Sequence, residues 1–395
     1  MAWMEKSVTE QRKEFVLLAR MAGSNISELS QRFEISRKTA YKWLSRYDPQ
    51  APDGALQDRS RRPLTSPNHS SFELEQQVLT VRAAHGAWGA RKIAWILSHE
   101  QGSNIAPSTV NSILRRHGCI SEAASLAAKP WLRFEHAAPN DLWQIDFKGH
   151  FALSQSPIRC HALTAIDDHS RYNIVLKALE QETRVGVQSA LIQAFERYGL
   201  PKRINADNGP PWGSHVRQDD ATYQKGYKGQ RRALTKLGVW LIRLGVELSH
   251  SRPRHPQTNG KDERFHRTLN AEVIARKHLV DMVHTQQEFD AWRQIYNHRR
   301  PHEAIQMQTP SQRYQASQRI YDPLLVPIEY QNGDWVRKVD QEGWLSFKGK
   351  NIRVSKSLYG HSVALRASQQ TDQVWDIYFS WAKIGQINLA DPCFN

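Results

Sequence analysis

Asp146, Asp207 and Glu263 are the side chains whose settings most demand a chemical explanation. Asp146 lies in the alternating segment from Asp141 to Phe147, flanked by Trp143, Ile145 and Phe147. A carboxylate inside an apolar strand is costly unless it is paired or binds a cation. Asp207 closes the strand-like run from Arg203 and enters the turn Asn208-Gly209-Pro210-Pro211, while Glu263 falls in the first turns of a helix. Two acids near strand ends and one on a helix can converge on one point. Hard oxygen donors without cysteine spacing suit Mg²⁺, or Mn²⁺ in its place, and not zinc. Two such ions about 3.5–4 Å apart clamp the attacking and leaving oxygens of an in-line displacement at phosphorus. One lowers the pKa of a water or a 3′-hydroxyl, and the other stabilises the leaving oxygen.

Each acid also has a plainer reading. Asp207 before Asn-Gly is a common turn acid that accepts backbone amides. Glu263 reads equally as a solvated helix residue, and Asp146 is the hardest of the three to dismiss. Along the helix expected over 258–277, Phe265, Leu269 and Val273 mark the buried side, and Glu263 shares the other side with Asn259, Arg267 and Asn270. Asn259, Lys261, Arg264 and Arg267 are therefore the nearby candidates for contacts to phosphates. Asp167 and Asp168 precede His169-Ser170-Arg171 and are expected to order a hairpin. Asp262, about 100° around the helix from Glu263, is the weaker candidate ligand.

The elements that must carry these acids alternate between strand and helix. Strands are predicted at Asp141 to Phe147, His161 to Ile166, Tyr172 to Ala178, Arg203 to Asp207 and Val246 to His250. Helices are predicted at Thr183 to Tyr198, Arg232 to Gly245, 258–277 and 281–298. That order fits an α/β layer fold of the ribonuclease-H type over residues 138–315. Residues 213–231 read as a charged, Gly- and Tyr-containing loop. Residues 316–395 show short alternating pieces between Gly turns, which predicts a small antiparallel β-barrel.

The N-terminal part is all-α. Val8 to Met21, Ile26 to Phe33 and Arg37 to Tyr47 have helical spacing, with Ser36 as N-cap of the third. Ala40, Trp43, Leu44 and Tyr47 face inward on that helix, and Arg37, Lys38, Thr39, Lys42 and Arg46 face outward. A helix, a tight turn and a helix with a basic outer face is the helix-turn-helix pattern; an ordinary helical hairpin with a solvated face is the plainer reading. After a Pro- and Arg-containing linker at 51–72, residues 73–118 repeat the theme. There Ser108 is the expected cap of Thr109 to His117, and Thr109, Asn111, Ser112, Arg115 and Arg116 form the outer face. Residues 119–137 form a second linker. The expected domains are thus 1–50, 73–118, 138–315 and 316–395.

Charge agrees with a polyanionic partner. Lys and Arg number 54 against 39 Asp and Glu, a net +15. Residues 1–137 carry 19 basic and 13 acidic side chains, residues 138–315 carry 26 and 18, and residues 316–395 carry 9 and 8. The excess sits in the first two regions, where nucleic acid would bind, and the neutral tail is left for protein contacts or for packing on its own core. Cys119, Cys160 and Cys393 form neither a disulfide framework nor a zinc spacing, which fits a reducing cytoplasm. No apolar run is long enough to span a bilayer and no secretory signal is visible.

Taken in order, these segments resemble a known family. Trp143-Gln144-Ile145-Asp146, Ala165-Ile166-Asp167-Asp168-His169-Ser170-Arg171, Ala206-Asp207-Asn208-Gly209 and the run from His255-Pro256-Gln257-Thr258-Asn259-Gly260-Lys261 through Glu263 to Leu269 are similar to the DDE transposases of bacterial insertion sequences. The catalytic core of that family is like the core of retroviral integrase. Tyr296-Asn297, Arg300-Pro301-His302-Glu303-Ala304 and Thr309-Pro310 match its closing segment. The resemblance implies an RNase-H-like fold with Asp146, Asp207 and Glu263 as catalytic and metal-binding triad. It implies Mg²⁺-dependent cleavage at element ends, joining of the 3′-hydroxyl to target DNA, and a homo-oligomer on DNA in the bacterial cytoplasm at the nucleoid. The 56 positions from Asp207 to Glu263 exceed the spacing of archetypal members. The extra length falls in 213–231, where Lys225, Lys228, Arg231 and Arg232 lie near Tyr223 and Tyr227.

Two other classes compete. One is a sequence-specific DNA-binding regulator with an inactive RNase-H-like core, against which all three acids are present. The other is a nuclease that cuts without joining, against which two helix-turn-helix units stand.

Overall fold

The computed structural model describes residues 7–50, 55–58, 70–120, 135–207, 209–215, 232–250, 260–368 and 371–390. They fall into two compact units, Met1–Ser70 and Ser71–Asn395.

In the first unit, helices α1 (Val8–Ala19), α2 (Ile26–Arg32) and α3 (Arg37–Arg46) pack around Phe15, Val16, Ala40, Trp43 and Leu56. Each helix begins on a side-chain cap. Ser7 and Glu10 form a reciprocal capping box, Asn25 accepts from Ser27 N, and Ser36 accepts from Thr39 N. The guanidinium of Arg12 lies over the Trp43 ring and donates to Leu56 O at 2.9 Å, tying the chain after α3 to α1.

The second unit opens with α4 (Phe72–Ala84), α5 (Ala90–Gln101) and α6 (Pro107–Arg116), closed over Val78, Trp88, Ile93, Ile96, Val110 and Leu114. Helix α6 starts two residues before the expected position. Its N-cap is Ala106, because Pro107 takes the first helical position, where a missing N–H costs nothing. Arg116, exposed as expected, also pairs with the buried Glu75, which meets His117 Nε2 at 2.9 Å.

A five-stranded sheet follows, in the order β3-β2-β1-β4-β7. It contains β1 (Leu142–Ala152), β2 (Arg159–Asp167), β3 (Asn173–Leu179), β4 (Arg203–Ala206) and β7 (Glu247–His250). The first three pair antiparallel, whereas β4 and β7 run parallel to β1. Alternation along β1 sorts its side chains. Trp143 and Ile145 join Leu163, Val187, Leu191 and Phe195 under α7 (Arg184–Tyr198) and α8 (Lys236–Arg243). The opposite face of the sheet carries Ala162, Ile166 and Leu176. It is covered by α9 (Gly260–Leu269) and α10 (Met282–Gln294) through Phe265, Leu269, Phe289 and Trp292. Helices on both faces of this mixed sheet make the RNase-H-like, integrase-type layer fold expected for 138–315. Strand β5 (Ser214–His215) pairs with β6 (Arg232–Ala233) in a two-residue ladder. Residues 216–231, with Tyr223, Lys225, Tyr227, Lys228 and Arg231, lie outside the described residues.

The tail corrects one expectation. Strands β8 (Trp335–Lys338), β11 (Ser362–Ser368), β12 (Thr371–Phe379) and β13 (Ala382–Asn388) form an antiparallel sheet in the order β13-β12-β11-β8. Strands β9 (Trp344–Phe347) and β10 (Lys350–Arg353) form a separate hairpin. Both contribute to one buried cluster around Leu345, Phe347, Ile352, Leu365, Ile377 and Phe379, but among the described residues no ladder closes them into a barrel. Alternation reports which face of a strand is buried, not whether edge strands meet. Val239 and Ile242 of α8 belong to the same cluster, and Trp381 donates to Ile242 O at 2.8 Å. The neutral tail thus packs on its own core.

Candidate active site

The parallel pairing of β1 with β4 brings two of the acids together. Gln144 stands opposite Asn205, so two steps further along the ladder direction Asp146 faces the position of Asp207, just past the end of β4. Neighbouring strands are about 4.7–4.9 Å apart. Asp146 is partly buried and accepts the backbone N–H of Phe147 at 2.8 Å. Asp207 accepts from Gly209 N at 3.0 Å, the turn bond its sequence context predicts. The same residue is held from the other side, because Nδ1 of His250 on β7 donates to its main-chain oxygen at 2.7 Å. Glu263 is exposed on α9, on the side away from the buried Phe265 and Leu269.

Asp146 responds to its acidic neighbours. Burial pushes the Asp146 carboxyl from 3.8 up to about 7. The charge of Asp207 adds to this, with smaller contributions from Glu182 and Glu263, and the Phe147 amide works the other way. A carboxyl raised by burial and by neighbouring acids is one that a bound cation would relieve.

Asp262, the weaker candidate ligand in the sequence, lies close to Asp146. It has no solvent exposure, and its carboxylate, that of Asp146 and the imidazole of His266 have ligand atoms within 4.8 Å of one another. Burial, then Asp146 and Glu263, raise its carboxyl well above the ordinary range. His266 was missed altogether. It sits one turn beyond Asp262, and its i,i+4 spacing was the available signal. Burial, helped by Lys148, lowers its imidazole to about 3, so the ring is neutral.

Asp167 and Asp168 do order the hairpin. Asp167 accepts from Asn140 N at 2.7 Å and from Ser170 N at 2.8 Å, at the turn where Arg171 has a φ of 67°. Asp168 accepts from Gln144 Nε2 at 2.7 Å and His136 N at 2.8 Å. It also pairs with Lys261, whose ammonium is lowered to about 8, first by burial and then by Arg171. Lys261, expected among the phosphate ligands, is therefore committed to an internal tie between α9 and the hairpin. Arg264 and Arg267 remain exposed on α9, and Asn259 lies outside the described residues. The closing segment is structural. Asn297 accepts from Asn173 N at 2.8 Å and donates to Asn173 O at 3.0 Å, pairing with the edge of β3 as a strand would.

On the helical units, Arg37, Lys38 and Lys42 are exposed on α3, and Thr39 is half-buried and shares a hydrogen bond with the Ser36 cap. On α6, Ser112 and Arg115 are exposed, while Thr109 and Asn111 are half-buried. The α4–α6 unit is fastened to the core by Arg299–Glu100 at 2.6 Å and Arg91–Glu303 at 3.0 Å.

Comparison with known families agrees with this architecture. Residues 136–256 and 244–310 match integrase core domains, and residues 334–392 match the C-terminal domain of IS481 family transposases. The chain thus carries segments similar to an integrase core and to a transposase C-terminal domain of insertion sequences. Residues 11–63 match a helix-turn-helix domain and residues 39–114 a homeodomain-like domain. An uncharacterized 31.7 kDa protein of insertion element IS407 from Burkholderia multivorans is 27% identical over 198 residues, 50% of this chain and 61% of that protein. An uncharacterized 39.2 kDa protein of insertion element IS476 from Xanthomonas euvesicatoria is 25% identical over 174 residues, 44% of each chain. The chain thus spans less than two thirds of the length of these relatives. Among solved structures, the simian T-cell lymphotropic virus intasome is similar at a TM-score of 0.38 and 17% identity, over 79% of this chain and 95% of that one. An integrase-like core of this family implies dependence on a divalent metal ion. Among the described residues, no helix is long and apolar enough to cross a membrane.

Proposed function

We propose that this chain binds the ends of a mobile DNA element, cleaves the phosphodiester backbone and joins the freed 3′-hydroxyl to target DNA. In this reading Asp146, Asp207 and Glu263 are the catalytic acids and hold two divalent ions, Mg²⁺ or Mn²⁺. The observation that carries it is the parallel register of β1 with β4, which sets Asp146 beside the position of Asp207, in keeping with a carboxyl raised first by burial, then by Asp207 and more weakly by Glu182 and Glu263. Bound there, a pair of divalent ions supplies the Lewis acidity that activates an attacking water or 3′-hydroxyl and stabilises the leaving oxygen.

The chain's own residues divide the remaining work. Asp146 and Asp207 are fixed by the sheet, Asp207 further by Gly209 and His250. Glu263 approaches from the exposed side of α9, where Arg264 and Arg267 offer charge for phosphates. Asp262 is the less suitable ligand despite its closeness to Asp146. It is sealed from solvent and its oxygens face Thr164, leaving no position open toward DNA.

Arg37, Lys38, Thr39 and Lys42 on α3 and Thr109, Asn111, Ser112 and Arg115 on α6 are assigned to successive major grooves of the element end, the exposed members first. The domain limits 1–50, 73–118, 138–315 and 316–395 go with this division of labour. Joining two ends to one target needs two active sites, so the working form on DNA is at least a dimer. The test is Mg²⁺-dependent cleavage and joining with DNA flanking the chain's own coding region. Cleavage without joining would leave a nuclease, and binding alone a regulator.

A further inference from the structure

Three elements meet at one hydroxyl beneath the candidate site. Thr164 on β2 stands opposite Asp146 on β1. Its Oγ1 lies 3.0 Å from the main-chain oxygen of Asp146, 3.1 and 3.0 Å from the two carboxylate oxygens of Asp262, and 2.7 Å from Nε2 of His266. Thr164 and Asp262 are fully buried and His266 nearly so. A hydroxyl has one proton and two lone pairs. His266 can donate to it, and its own proton then goes either to the main-chain oxygen of Asp146 or to Asp262, so the hydroxyl links α9 to the sheet.

This is a costly way to fill space. Apolar side chains would pack between α9 and the sheet without the desolvation penalty of a buried acid and imidazole, as Phe265 and Leu269 do on the same helix. What the polar set adds is direction: its bonds fix the rotation of α9 about its own axis. Glu263 is the residue next to Asp262. On a helix of about 5–6 Å outer radius, a roll of about 10° displaces a side-chain tip by ~1 Å. A misplacement of that size costs on the order of 100-fold in rate.

We propose that Thr164, Asp262 and His266 are positioning residues, a buried polar knot that sets the roll of α9 and so the reach of Glu263 toward Asp146. The proposal rests on the reading of Asp146, Asp207 and Glu263 as metal-binding acids.

The test uses the full chain. Mn²⁺ binding is measured by titration calorimetry, strand joining on DNA from the flanks of the coding region, and melting temperature in metal-free buffer. Thr164→Val removes the hydroxyl and keeps the shape. It is expected to melt like the unaltered protein, bind Mn²⁺ about 10-fold more weakly and join about 10–100-fold more slowly. Thr164→Ser is expected to restore both. If Thr164→Val lowers the melting temperature, His266→Phe, which removes Nε2 from the knot, carries the same test. Unchanged Mn²⁺ affinity and joining in the stable variant overturn the proposal, as does a Thr164→Ser variant no better than Thr164→Val. Asp146→Asn separates the two claims. If it binds Mn²⁺ as the unaltered chain does, the metal reading fails and the positioning claim with it. If it loses Mn²⁺ while Thr164→Val keeps it, only the positioning claim fails.

Discussion

At Asp146, burial, then the charge of Asp207, and more weakly those of Glu182 and Glu263, oppose ionisation and lift its carboxyl from 3.8 to about 7. A carboxyl whose folded pKa lies above its unfolded one favours the fold while protonated. That contribution is full below about pH 3.8 and is lost as pH rises through about 7. Asp262 is raised as well and acts in the same direction. His266 and His302, lowered from 6.5, work the other way up to about that pH, so the metal-free chain is expected to lose melting temperature mainly between about pH 6.5 and pH 8. Mn²⁺ should restore more at pH 8 than at pH 5, since metal and proton compete for the same oxygens. Thermal melts across pH, in chelator and in Mn²⁺, check this, and a flat chelator profile would count against it. In the same melts Asp146→Asn should flatten the pH dependence.

At the scale of elements, α9 and α10 each end in a wider π-helical turn, Asn270–Ile274 and Ile295–Arg299, and the two ends are joined through Glu272. Its carboxylate accepts from Arg300 Nε at 3.0 Å and from Trp292 Nε1 at 2.9 Å, with both members of the ion pair nearly buried. Arg300→Ala leaves that charge uncompensated and is expected to cost about 3–5 kcal/mol in urea unfolding; a loss under 1 kcal/mol would mean that water reaches Glu272. On α3, Lys38→Ala is expected to weaken binding to all DNA sequences alike. It should reduce the salt slope of log K by about 0.9 if Lys38 neutralises one phosphate. Much at this scale was legible in the sequence. The strands around Asp146 and Asp207, the cap at Ser36, the helix that starts near Thr183 and the buried stripe Phe265-Leu269-Val273 follow from local chemistry and periodicity. The burial of Asp262, the internal use of Lys261 and the open sheet of the tail were not. Each depends on a partner distant in sequence, Thr164, Asp168 and the unpaired edge strands respectively.

For the whole molecule, the two compact units give a division that can be cut. Residues 71–395 alone are expected to fold, keep the Mn²⁺ affinity of the full chain and lose much of its affinity for element-end DNA. Calorimetry and gel-shift titration measure both, and a truncated chain that binds ends as tightly as the full one would remove α3 from recognition. Packing of the tail on α8 leaves the number of subunits to the DNA complex itself. Light scattering on paired ends should return at least two chains, and an active monomer would contradict the assembly.

The central claim is that Asp146, Asp207 and Glu263 together perform metal-dependent cutting and joining. Its most direct measurement is a strand-joining assay with purified full-length chain and labelled DNA from the flanks of its coding region, run with Mg²⁺ or chelator, comparing the unaltered protein with Glu263→Gln. The account predicts cleaved and joined products only for the unaltered protein and only with metal, while Glu263→Gln still shifts the DNA in a gel. Joining at undiminished rate by Glu263→Gln, or in the presence of chelator, would contradict it.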